Sequence, residues 1–289
     1  MSGGPPPDVV VVGHVTRDIA PGARNGFTFG GTATFGSVAA QRLGHRVGLV
    51  TTCGDDPGMG DALAGIDVVA TTSDVTTTFE NIYTAGGRIQ YVRAAAPPIH
   101  AASIPPQWCA APVALLGPVA QEVQRGVVDA FGPRTTIAAT LQGWVRTWDE
   151  QTGRVRPVQW DDHEAFLDRF DAVVFSPVDV GSDPALVRRY AERARLAIVT
   201  EAADGGVVWH GGRRFRYPAY EVEAVEPTGA GDAFAVAFAL EFHATDDPEH
   251  SARYASCVAS FVVEGYGTSR VPTADAVRER FRHGRLRAS

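Results

Sequence analysis

The sequence predicts an α/β fold in which a mostly parallel central sheet carries helices on both faces. Three observations lead there. β-Branched, nearly continuous apolar runs recur at Asp8 to Gly13, Val113 to Gly117, Thr135 to Gln142, Asp171 to Ser176 and Leu196 to Thr200, as expected of strands buried on both faces. Helical patterns alternate with them, which is how parallel strands are joined. A hydrophobic content of 45% over 289 residues is ample for a sizeable core.

Taken in order, the polar, proline-rich residues 1–7 predict a disordered tail, and residues 8–289 a single domain. The strand at Asp8 to Gly13 delivers His14, Arg17 and Asp18 to the carboxyl edge of the sheet, where open α/β sheets bind ligands. From type alone, Asp18 reads as a solvated loop acid and His14 as structural. Phe27 to Gly31 leads into a helix from Thr34 to Leu43, stopped by Gly44, and Val47 to Thr52 is the next strand. The turn-rich Gly54 to Gly58 follows. Thr76 to Thr84 and Arg88 to Ala95 alternate in polarity around Gly86-Gly87, a hairpin that needs cover on one face.

Further along come a helix from Glu122 to Phe131, the strand ending at Gln142, and a helix from Asp162 to Phe170. Gln142 and Arg146 follow a strand and so reach toward the ligand edge; Arg146 reads either as a phosphate clamp or as a surface arginine. Asp183-Pro184 opens the helix over Ala185 to Arg195, with an acid cap and proline in the first turn. Val207 to His210 and Arg213 to Tyr217 form a second hairpin. Helices from Asp232, from Pro248 to Glu264 and from Thr273 to Phe281 complete the chain.

The net charge of −7 argues against nucleic-acid or anionic-membrane partners, which require a basic face. Cys53, Cys109 and Cys257 lie far apart, without metal-site or disulfide-framework spacing. With no signal-peptide pattern and no apolar run long enough to span a bilayer, a cytoplasmic location is expected.

Chemistry concentrates in Glu226-Pro227-Thr228-Gly229-Ala230-Gly231-Asp232. Two glycines around an alanine permit a tight turn whose N–H groups converge at a helix start, an anion hole with a carboxylate at its mouth. The residues alone admit a second reading, a plain turn with Asp232 capping a core helix.

The run Pro-Thr-Gly-Ala-Gly-Asp-Ala-Phe resembles the C-terminal signature of the ribokinase-like (PfkB) carbohydrate kinases. Gly30-Gly31-Thr32-Ala33-Thr34-Phe35 resembles their N-terminal di-glycine signature, in the same order and at similar spacing. The resemblance implies a ribokinase-like fold with a small β lid over residues 76–95. It implies an ATP- and Mg²⁺-dependent phosphotransferase acting on an alcohol, with Asp232 as catalytic base and Thr228, Gly229, Ala230 and Gly231 as the anion hole. For the acceptor it implies Asp18, Gly30 and Gly31, with Phe35, Asn81, Gln142 and Arg146 as further candidates. Phe79, Tyr83 and Gln90 are other lid residues that could face substrate, unless the hairpin merely edges the main sheet. Thr200, Ala203, Gly205 and Ser256 would meet the nucleotide. Asp179 and Glu226 would lie in the outer shell of Mg²⁺. Gly54 to Asp56 resembles a segment near the substrate, and the lid in such kinases is sometimes completed by a second subunit, so a homodimer is an option.

The sequence departs from the family pattern at Phe35 for Asn, Thr140 for Asp, Asp179 for Glu, Ala202 for Gly and Glu226 for Asp. The combination looks most like the inositol-kinase-like branch, with myo-inositol as the expected acceptor. Nucleoside kinase is the alternative, and a non-catalytic sugar-binding protein on the same fold is the alternative of another class. A dinucleotide-binding oxidoreductase is disfavoured by the missing G-x-G-x-x-G after the first strand.

Overall fold

The computed structural model describes residues 6–56, 58–84 and 87–287. Most of the expected tail (residues 1–5), Pro57, the hairpin's Gly86 and the side chain of Tyr83 lie outside the described residues.

The chain begins with β1 (Val9–Val12), β2 (Thr16–Ile19) and β3 (Phe27–Gly30), then α1 (Gly31–Arg42), β4 (Val47–Cys53), the single turn α2 (Met59–Ala62) and β5 (Asp67–Thr72). Next come β6 (Thr78–Thr84), β7 (Gly87–Ala94), β8 (Val113–Leu116), α3 (Arg125–Asp129), β9 (Thr136–Thr140), β10 (Arg146–Trp148) and β11 (Val155–Pro157). The last part runs α4 (His163–Leu167), β12 (Ala172–Phe175), α5 (Pro184–Arg193), β13 (Leu196–Thr200), β14 (Gly206–His210), β15 (Arg213–Tyr217), α6 (Ala230–Thr245), α7 (Pro248–Val262) and α8 (Ala274–His283).

Nine strands form the main sheet in the order β15-β14-β13-β12-β9-β8-β1-β4-β5. It is parallel from β13 to β5, with the β14–β15 hairpin added antiparallel at one edge. All four valines of β1 are buried, and they alternate between two cores. Val9 and Val11 pack beneath α1, α6 and α7, while Val10 and Val12 pack on the side of α3, α4 and α5. That alternation is the period-two geometry of a strand covered on both faces.

A second, four-stranded sheet, β3-β2-β6-β7, stands apart from the first. The hairpin therefore belongs to a separate lid sheet and does not edge the main one. Asp18 lies on β2, within this sheet, and not on a loop after β1. Its strand was missed because Thr-Arg-Asp-Ile lacks an apolar alternation of its own and is held by β3 and β6.

The lid also rests on the β10–β11 hairpin, where the Val92 N–H donates to the Gly153 carbonyl at 2.8 Å. Two helices differ from expectation. α1 begins at Gly31, directly after the extended Gly30, and so starts three residues before Thr34. The expected helix from Glu122 forms only at Arg125, because the buried Glu122 carboxylate accepts the N–H groups of His14, Val119 and Ala120 and holds the intervening loop open. Among the described residues no helix is long and apolar enough to cross a membrane.

Candidate active site

The carboxyl ends of β9, β12 and β13 open into a cavity of about 710 Å³, bounded by the lid sheet, the start of α6 and α7. The anion-hole segment forms its middle. Gly229 has φ of +82°, and a Cβ there would overlap the ring of Phe35. Glycine is required on both counts. The turn starts α6, so that Asp232 falls in its first turn. Among the described residues the N–H groups of Gly229, Gly231 and Asp232 have no acceptor, and Gly231 has open space where a side chain would stand. Free amides at the positive end of a 16-residue helix are able to hold an anion.

Two members of the expected hole are engaged elsewhere. The Thr228 N–H donates to the Glu226 carboxylate at 2.8 Å, and the Ala230 N–H donates to the Pro227 carbonyl at 3.3 Å. Thr228 and Ala230 still line the cavity.

Asp232 is held from one side. Its Oδ1 accepts from the Thr32 hydroxyl at 2.6 Å and from the Gln142 amide at 3.3 Å, while Oδ2 has no protein donor among the described residues. Burial raises the Asp232 carboxyl above the ordinary aspartate range; the Thr32 bond opposes this, and the Asp179 charge adds to it. A carboxylate with one oxygen fixed, one free and a raised proton affinity is suited to take a proton from a hydroxyl.

Asp18 faces the same cavity from the lid. A Cβ at Gly30 would overlap its carboxylate, so Gly30 makes room for Asp18 and does not itself line the cavity, whereas Gly31 does. Burial pushes the Asp18 carboxyl up to about 6, against the pull of Arg88 and then Arg146. Asn81, Gln142 and Arg146 also line this end.

Phe35 does not face an acceptor. It is fully buried in the core beneath Gly229, because the early start of α1 turns that position toward α6. Glu226 is likewise outside the cavity lining, its carboxylate bound to Thr228. Gly54 to Asp56 is absent from the lining too, and Asp56 pairs with Arg17 and Thr76.

The far end of the cavity includes Thr200, Ala203, Gly205 and Ser256, the four positions expected at a nucleotide. The Ser256 hydroxyl donates to the Pro218 carbonyl at 2.9 Å, so at that position the wall is a tied hydroxyl. Tyr220, Val222, Ala259 and Val263 give this end an apolar surface.

Asp179 lines the cavity between the two ends; its Oδ2 accepts from the Ser176 N–H and hydroxyl at 2.7 and 2.8 Å, leaving Oδ1 for a ligand. Among the described residues there is no group of three or more His, Cys, Asp or Glu able to hold a metal ion. A hard cation would thus be held mainly by its ligand's phosphates, with Asp179 in its outer shell.

Sequence reasoning missed Thr32 and Arg88. Thr32 follows the glycine pair directly and occupies the first turn of α1, where its side chain packs on Gly117 and points at α6. Arg88 stands two residues before Gln90 and shares with it the inward face of β7.

A helix start with free N–H groups beside a carboxylate of raised proton affinity, across from a second buried carboxylate, is an arrangement chemically able to support phosphoryl transfer to an alcohol. Comparisons with known proteins agree. Residues 169–274 match the pfkB family carbohydrate kinase. A cytidine kinase from Thermococcus kodakarensis is 28% identical over 251 residues, covering 80% of this chain and 87% of the relative.

Among solved structures, a pyrophosphate-dependent myo-inositol-1 kinase converted into a myo-inositol-3 kinase aligns with a TM-score of 0.76 at 19% identity, over 94% of this chain and 99% of its own. Ribokinase from Arabidopsis thaliana, complexed with ribose and ATP, aligns with a TM-score of 0.72 at 17% identity, over 96% and 99%. The match to the pfkB family carbohydrate kinase covers residues 169–274, and the chain as a whole has the ribokinase-like fold.

Proposed function

We propose that the protein transfers the γ-phosphoryl group of ATP to a hydroxyl of a small polyol, with Asp232 as the base. The observation that carries this reading is the junction of Thr32, Gln142 and Asp232 at the start of α6, where the free Oδ2 lies beside unpaired backbone N–H groups. Oδ2 takes the proton of the acceptor hydroxyl, whose oxygen attacks the γ-phosphorus. The bond to the β-phosphate oxygen breaks and ADP leaves with that electron pair, while the N–H groups of Gly229, Gly231 and Asp232 hold the charge on the phosphoryl oxygens.

Bound Mg²⁺ would neutralise donor phosphate charge, with Asp179 contributing to its outer shell. ATP is favoured over pyrophosphate because the apolar far end, with Tyr220, Val222 and Val263, offers surface to a base that pyrophosphate does not possess.

For the acceptor, a cyclic polyol such as myo-inositol is favoured by the likeness to inositol kinases and by the capacity of Asp18 to accept two vicinal hydroxyls. Phe35, buried in the core, is not part of that support. A nucleoside acceptor is the second reading, favoured by the similarity to a cytidine kinase.

Ile19 and Ile82, 39% and 42% exposed on the lid, would be covered if two copies paired through that sheet in the cytoplasm. Product formation should be measured with ATP and with pyrophosphate, each against myo-inositol, ribose and cytidine. ATP-dependent phosphorylation of the cyclitol is expected. Phosphorylation of cytidine alone would favour the second reading, and turnover with pyrophosphate alone would overturn the donor.

A further inference from the structure

The charges at the lid end of the cavity are not balanced by a neutral polyol. Arg146 is only 8% exposed. Its guanidinium donates through Nε to the Val119 carbonyl at 2.7 Å and through Nη1 to the Gln90 side chain at 2.9 Å, and it stacks 4.9 Å above the ring centre of Phe79. Nη2 also reaches the Val119 carbonyl. These are neutral partners. Among the described residues no carboxylate forms an ion pair with it; Asp179, Glu122 and Asp232 favour its charge only from beyond ion-pair distance, and burying a charge without a bonded opposite one is costly. Burial accordingly lowers the Arg146 affinity for its proton, to a pKa of about 10.

Arg88 stands two residues before Gln90 on β7, hence on the same face of the strand, and it lines the same cavity. It too has no ion pair among the described residues, and the like charges of the two guanidiniums oppose each other. Asp18 is the acidic group of the lid whose charge feels both. Both arginines act on its charge, yet neither is bonded to it, and its oxygens remain available to hydroxyls.

We propose that the acceptor bears an anionic group, a phosphate monoester or a carboxylate, held between Arg88 and Arg146 while its hydroxyls meet Asp18 and Asp232. This rests on the reading of this end of the cavity as the acceptor compartment of a kinase. Guanidinium groups suit either anion, because the planar donor fork matches two oxygens at once. The anion would also offset the repulsion between the arginines. Asn81, whose Oδ1 accepts from the Gln90 amide at 3.0 Å, completes a polar wall that connects Arg146 to the lid.

The test uses matched acceptors with ATP: myo-inositol against a myo-inositol monophosphate, and ribose against ribose 5-phosphate and ribonate. Both kcat/KM and equilibrium binding are measured, for the wild-type chain and for Arg88→Ala and Arg88→Lys. Arg88 is exposed on the lid, so its substitution tests the idea without the folding risk of replacing buried Arg146.

The phosphorylated or carboxylated member of at least one pair is expected to be preferred by about 10–100-fold, the scale of a charge-assisted bidentate contact. Most of that preference should vanish in Arg88→Ala, with part of it kept in Arg88→Lys. Preference for the phosphate esters alone, or for the carboxylate alone, would identify which anion is used. Equal or better use of the neutral members overturns the inference while leaving the kinase reading intact, as does a preference that Arg88→Ala leaves unchanged. If nothing is turned over but an anionic member binds in an Arg88-dependent way, the inference stands and the phosphotransfer reading fails. If no anionic member is turned over or bound, the inference is overturned.

Discussion

Thr32→Val removes the hydroxyl that donates to Asp232 Oδ1 at 2.6 Å and leaves a side chain of nearly the same shape against Gly117. A hydrogen bond to a charged group contributes about 1.5–3 kcal/mol. Here it favours the ionised carboxylate, opposing the desolvation that raises the Asp232 pKa. Its loss should raise that pKa further.

A base must be ionised to act, so the acid limb of the kcat/KM profile should move to higher pH. On the limb itself, kcat/KM should fall by about 10–100-fold. The assay is kcat/KM across pH with the best acceptor, on wild type, Thr32→Val and Thr32→Ser. The serine variant restores the hydroxyl and should return the limb close to its original place. A folded Thr32→Val protein with an unmoved acid limb would refute the assignment of Thr32 as the residue that sets the base.

Asp232→Asn should lose about 10²–10⁴-fold in turnover with little change in ATP affinity; near wild-type turnover removes Asp232 from the mechanism. Gly231→Val should abolish phosphoryl transfer while thermal unfolding stays within a few degrees of wild type, because a side chain there meets open cavity; parallel loss of both would make Gly231 structural. Asp18→Asn should raise stability at pH 8. The wild-type carboxyl is held at about 6 in the folded chain against 3.8 as its reference, so folding takes up protons between those values and stability falls as pH rises through them. The variant's advantage should reach at most about 3 kcal/mol above pH 7 and vanish below pH 4, as read from melting curves across pH; a constant difference would refute the titration.

The chain alone determined the architecture where a local pattern forces it. Four consecutive valines in β1 have no stable place except between two covered faces, and the alternation of such runs with helices leaves few arrangements other than a parallel sheet. Gly229-Ala230-Gly231-Asp232 was equally legible, because a turn with φ of +82° before an apolar helix is written in glycine.

Tertiary structure decided what depends on partners distant in sequence. Phe35 fills the space under Gly229, almost two hundred residues away, and Glu226 spends its carboxylate on Thr228. Thr32 meets Asp232 only because α1 and α6 pack together, and β2 exists only because β3 and β6 supply its hydrogen bonds. Residue type shows which side chains are able to do chemistry. Which of them face the cavity and which are used up in holding it depends on long-range packing, and no local pattern records that.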